Sequence, residues 1–76
     1  MLTPALIRGA RAMVQLSQDE LSRRAGIGKA TLAAIEVGKT DPRASTLSAI
    51  QRVLEDAGAE FTNEARPAVR LRGDNA

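Results

Sequence analysis

Apolar residues recur every three or four positions through most of the chain, then give way to alternation near the end. The first spacing predicts helices with one buried face, and the second predicts strands. Thr3 and Pro4 open the first helix as N-cap and first helical residue, where the missing N–H of proline costs nothing. Ile7, Ala10, Arg11 and Val14 then share a face, flanked by Leu6 and Met13. Ser17-Gln-Asp-Glu20 predicts a capping box at the start of a second helix: the serine hydroxyl takes the N3 amide and the glutamate reaches back. Asp19 and Glu20 also suit the positive end of that helix dipole, while Leu21 and Ala25 face inward.

Gly26 predicts a left-handed stop, with Ile27 plugging the gap to the next helix. That third helix is expected over about 29–37, with Gly28 as N-cap and Gly38 as terminator. Pro42 interrupts the chain, and a fourth helix over about 44–56 buries Leu47, Ile50 and Leu54 before Gly58 ends it. Residues 59–62 and 68–72 alternate and are separated by 63–67, which predicts a short strand or a two-stranded hairpin with Phe61, Val69 and Leu71 on one face. A lone hairpin is unstable without something to pack on. The expected organisation is a mostly helical domain over 1–57, a strand or hairpin element over 58–72, and a disordered tail over 73–76.

The 76 residues make one small domain with room for four or five short elements. A domain this small buries only about 60% of its unfolded surface. Absent Cys and His remove disulfides and ordinary zinc sites, so a second copy of the chain is the simplest further source of stability. The same absences, with no Tyr, Trp or Gly-rich phosphate loop, leave Ser17, Ser22, Ser45 and Ser48 without an activating base. No enzyme, cofactor or metal is expected. The apolar run at 1–7 is too short for a signal peptide and no window approaches a membrane span, so a cytoplasmic protein is expected.

Net charge is +2, unevenly placed. Residues 1–45 hold seven Lys/Arg and four Asp/Glu (+3), whereas 46–76 hold four and five (−1). The basic part contains the second and third helices, which suits a polyanionic partner. Two short helices joined by a tight turn can lay one across a phosphate backbone and the next in the major groove of DNA.

A helical wheel sharpens this picture. Leu32, Ile35, Gly28 and Glu36 point toward the core, Ala30, Ala33, Ala34 and Val37 point away, and Lys29 and Thr31 lie on the flanks. An inward Glu36 needs a partner, and Arg11 on the inward side of the first helix offers bidentate geometry. A structural Arg11–Glu36 ion pair is expected; the competing reading is two solvated charges.

Residues 6–57 resemble the lambda-repressor/Cro-type helix-turn-helix family. The shared features are an Arg in the first helix, Leu16-Ser-Gln-Asp-Glu-Leu21, Ala25-Gly-Ile27, Thr31-Leu32, Ile35-Glu-Val-Gly-Lys39 and Pro42. The resemblance implies a bundle of four or five helices that binds double-stranded DNA, with dimers reading half-sites about one turn apart. It places Gln18 at the start of the second helix, touching a phosphate and supporting base readout. Lys29, Ala30, Thr31 and Ala34 take the base- and groove-facing positions, Lys39 and Arg43 take phosphate contacts, and Arg11 and Glu36 take the family's buried ion pair.

The chain departs from the family on the reading face, where alanines stand in place of Gln, Arg, Ser or Asn. Alanine can only touch a thymine methyl or allow close approach, so hydrogen-bond readout falls on Lys29, Thr31 and Gln18. The alanines could equally be plain helix formers, and Lys29 and Lys39 solvated lysines. Arg23 and Arg24 suit the end of the second helix dipole. Arg8 could reach a phosphate or simply be solvated.

The C-terminal strands supply a dimer hypothesis. In the resembling family such an appendage often makes the dimer contact, and a strand at 59–62 paired with its symmetry mate would bury Phe61 twice. Arg70 and Arg72 would keep the edge soluble. An intrachain hairpin with Val69 and Leu71 covering the fourth helix is the competing arrangement, and the two are compatible. The expected function is a homodimeric, sequence-specific transcriptional repressor. The alternative is the antitoxin subunit of a toxin–antitoxin pair, which binds a toxin and represses its own operon. A protein-interaction module without DNA binding is a third reading.

Overall fold

The computed structural model describes residues 2–62 and 66–73. Residues 63–65 of the expected turn and 74–76 of the expected tail lie outside the described residues. The order of elements is α1 (Pro4–Met13), α2 (Gln18–Ala25), α3 (Lys29–Glu36), α4 (Ala44–Asp56), β1 (Ala59–Phe61) and β2 (Val69–Leu71). This is the expected mostly helical fold, four helices followed by a short antiparallel hairpin.

Local chemistry sets the helix ends. The Thr3 hydroxyl accepts the Leu6 amide at 3.2 Å and Pro4 follows it, opening α1. The capping box of α2 is complete: Ser17 Oγ accepts the Glu20 amide at 3.0 Å, and Glu20 Oε1 accepts the Ser17 amide at 3.3 Å. Three helices close by the same device, in which an amide beyond the helix end bonds back to the carbonyl five residues earlier. The Leu16 amide donates to the Arg11 carbonyl at 3.1 Å, Ile27 to Ser22 at 3.0 Å, and Lys39 to Ala34 at 2.9 Å. The turning residues are Gln15, Gly26 and Gly38, with φ of 60°, 76° and 77°.

These turns aim Leu16, Leu21, Leu32 and Ile35 at Ile7 and Ala10 of α1 and at Ile50 and Leu54 of α4, forming one core. Ala59 of β1 joins it, 2% exposed. The hairpin pairs Ala59 with Leu71, Glu60 with Arg70 and Phe61 with Val69. Hence Ala59, Phe61, Val69 and Leu71 share a face, while Glu60 and Arg70 on the other face form an ion pair at 2.6 Å. β1 packs on α4 and β2 on α1.

Several details differ from the sequence-based expectation. Leu47 is half-buried, because the first turn of α4 borders an open groove lined by Leu2, Pro4, Ile7, Ile35 and Pro42. Gly28 is exposed because it serves as the N-cap of α3 and stands outside the helix. α3 stops at Glu36, with Val37 as its cap, and both strands are shorter than the alternation suggests. Val69 and Leu71 belong to a strand that lies on α1, whereas the intrachain arrangement was expected to cover α4. Among the described residues no helix is long and apolar enough to cross a membrane.

Candidate nucleic-acid interface

Three buried side chains orient α3. Leu32 is fully buried, and Ile35 and Glu36 are each 2% exposed, so one side of this eight-residue helix is committed to the core. The opposite side is open: Lys29, Ala30 and Thr31 are exposed and Ala34 is half-exposed. Past the helix, Lys39 and Arg43 are exposed as well. Among the described residues, the side chains of Lys29, Lys39 and Arg43 make no ion pair.

Lys29 sits at the first position of α3, where positive charge opposes the helix dipole, and no acidic residue in that turn offsets it. A cation placed against local helix stability suits an anion arriving from outside. Beyond α3, Lys39 and Arg43 are two exposed cations that bracket the Pro42 segment, with the exposed carboxylate of Asp41 between them.

Glu36 anchors this helix to two others. Its Oε2 accepts Arg11 Nε at 2.8 Å, and its Oε1 accepts both Arg11 Nη2 at 3.1 Å and Gln18 Nε2 at 3.0 Å. Arg11 Nη1 also donates to the Leu16 carbonyl at 3.2 Å, so the guanidinium joins the connection between α1 and α2 to the carboxylate of α3. Nearly all of the carboxylate's capacity is used, and no buried side-chain nitrogen or oxygen among the described residues lacks a partner. Gln18, which the family resemblance places on a phosphate and in support of base readout, is half-buried with its amide on Glu36; the second hydrogen of that amide remains for an outside acceptor.

Two further contacts have no obvious mark in the sequence. Arg8 Nη1 donates to the backbone carbonyl of Glu36, one of the carbonyls that a helix C-terminus leaves unmatched. α3 has no basic residue in its own last turn, so α1 supplies the cation there. Ser22 is 3% exposed and bonds the Asp19 carbonyl at 3.0 Å, which lets a hydroxyl lie in the α2 contact with the core.

The predicted interchain residues lie elsewhere. Phe61 and Val69 are half-buried opposite each other in the hairpin, and Leu71 is 36% exposed. This element stands apart in sequence from the α2–α3 pair.

Two helices joined by the three-residue turn Gly26–Gly28, the second locked by its inner side and open on its outer side, define a helix-turn-helix module. Residues 7–55 match the family model for the helix-turn-helix of lambda repressor and Cro, and the chain belongs to that family. It is a DNA-binding transcription regulator. The chain matches no curated protein.

Proposed function

We propose that this regulator is a cytoplasmic repressor that binds its operator as a homodimer, with α3 of each copy in the major groove. The observation that carries the reading is the one-sided burial of α3, with Leu32, Ile35 and Glu36 held inside and Lys29, Ala30 and Thr31 outside. In this reading Lys29, Thr31 and Gln18 supply hydrogen bonds to bases or the groove edge. Ala30 and Ala34 allow close approach, and Lys39 and Arg43 meet phosphates.

The dimer contact is assigned to the hairpin. Leu71 is exposed and Phe61 is incompletely covered in a single copy, so a second copy gains apolar burial there. The antitoxin reading has less support, because the hairpin lies back on α1 and α4 instead of standing free to hold a toxin.

Fluorescence anisotropy on the DNA upstream of the gene and on a shuffled duplex, across a salt series, tests the reading. Tight selective binding with a steep salt slope is the expected result. Equal weak binding to both duplexes would remove the operator-binding function. Sedimentation of the protein with and without Phe61→Glu tests the hairpin dimer, which the charge should dissociate.

A further inference from the structure

The outward side of α3 is poor in hydrogen-bonding groups. Ala30, Ala34 and Val37 follow at steps of four and three residues, which return to the same side of a helix. Val37 is 63% exposed, the most exposed large apolar residue among the described residues. It caps α3 just beyond the last helical residue, and Glu36 beside it is held by Arg11 and Gln18, which fixes the end of the helix that Val37 follows. Lys29 and Thr31 lie at one end of this apolar line and Lys39 at the other.

An isolated exposed valine needs no explanation. A valine continuing an apolar line on the outward side of the reading helix, flanked by cations, meets a particular chemistry. The apolar feature of the major groove is the 5-methyl group of a pyrimidine, carried by thymine and by methylated cytosine and lacking in cytosine and uracil. We propose that Ala30, Ala34 and Val37 select DNA by contact with pyrimidine 5-methyl groups, with Val37 as a specificity-determining residue. This inference rests on α3 being the groove-facing helix. It makes binding responsive to cytosine methylation wherever a contacted thymine is replaced by cytosine.

The test begins with selection of bound duplexes from a randomised pool by the full chain. Each thymine of the selected duplex is then replaced by deoxyuridine, which removes only the methyl group. Where a replacement weakens binding, the same base pair is next changed to cytosine and to 5-methylcytosine. One buried methyl corresponds to about threefold to fourfold in affinity, so deoxyuridine should weaken binding by that factor at the contacted positions. Recovery with 5-methylcytosine is the expected result, and a deoxyuridine penalty without recovery would overturn the extension of the proposal to methylated cytosine. The Val37→Ala variant should fold normally, keep the salt slope, and lose the deoxyuridine penalty at one position of each half-site.

Deoxyuridine duplexes bound as tightly as the parent, with selectivity retained, would overturn the proposal. So would a selection that returns no preferred sequence while salt-sensitive binding persists. Unchanged penalties in Val37→Ala would overturn the role given to Val37. Loss of all salt-sensitive DNA binding would be a different failure, overturning the placement of α3 and this inference with it.

Discussion

Arg11 and Glu36 form a bidentate pair, at 2.8 and 3.1 Å, in which the two partners are unequally buried. The Arg11 side chain is 24% exposed and that of Glu36 only 2%. The asymmetry predicts which half is harder to lose. Arg11→Met leaves a buried carboxylate with Gln18 as its one side-chain partner, and should cost roughly 3–5 kcal/mol. Glu36→Gln leaves a guanidinium that still reaches water, and should cost roughly 1–3 kcal/mol. Urea unfolding of both variants measures the order, and equal or reversed losses would refute this account of the pair.

Lys39 should act on DNA without acting on the fold. Its side chain is exposed and makes no ion pair among the described residues. Lys39→Ala should leave the urea midpoint unchanged, weaken binding to selected and shuffled duplexes alike, and reduce the salt slope by about one. A variant with the parent's slope would place the phosphate-facing side elsewhere.

Ser17 tests how far local capping supports the module. Its hydroxyl and backbone amide form both halves of the box with Glu20. Ser17→Ala should cost about 1 kcal/mol, or about 4–8 °C in Tm for a domain of this size. An unchanged Tm would mean that tertiary packing holds the start of α2.

What the sequence disclosed follows the range of each interaction. Thr3, Ser17 and Gly26 act within a few residues of themselves, so their caps and turns could be read directly. The Arg11–Glu36 pair spans 25 positions yet remained legible, because two wheels each placed one of two opposite charges inward. Gln18 and Arg8 reach Glu36 across 18 and 28 positions without any periodic mark, so their anchoring of α3 emerges only from the folded chain. Gln15 is a further gap: its φ of 60° closes α1 in a role that glycine fills more easily. The alternation near the C-terminus disclosed strands, but whether they pair within the chain or on which helix they rest depends on packing that alternation does not encode.

Gly9 and Gly26 predict opposite outcomes for the same substitution. Gly9 lies inside α1, and a Cβ built there would meet Val69 Cγ1 at 3.9 Å, an ordinary contact with β2. Gly9→Ala should therefore add helix propensity without a clash and raise stability by roughly 0.5–1 kcal/mol. At Gly26 nothing lies within 4 Å of the added carbon, yet φ is +76°. The strain there is in the backbone, not in crowding, and Gly26→Ala should lose roughly 1–2 kcal/mol. Because Gly26 sets the turn between α2 and α3, its variant should also lose DNA affinity, whereas Gly9→Ala should keep it. Paired urea and anisotropy measurements decide the matter: stabilisation by Gly26→Ala would contradict the left-handed turn that sets α3, and destabilisation by Gly9→Ala would contradict the room between α1 and β2.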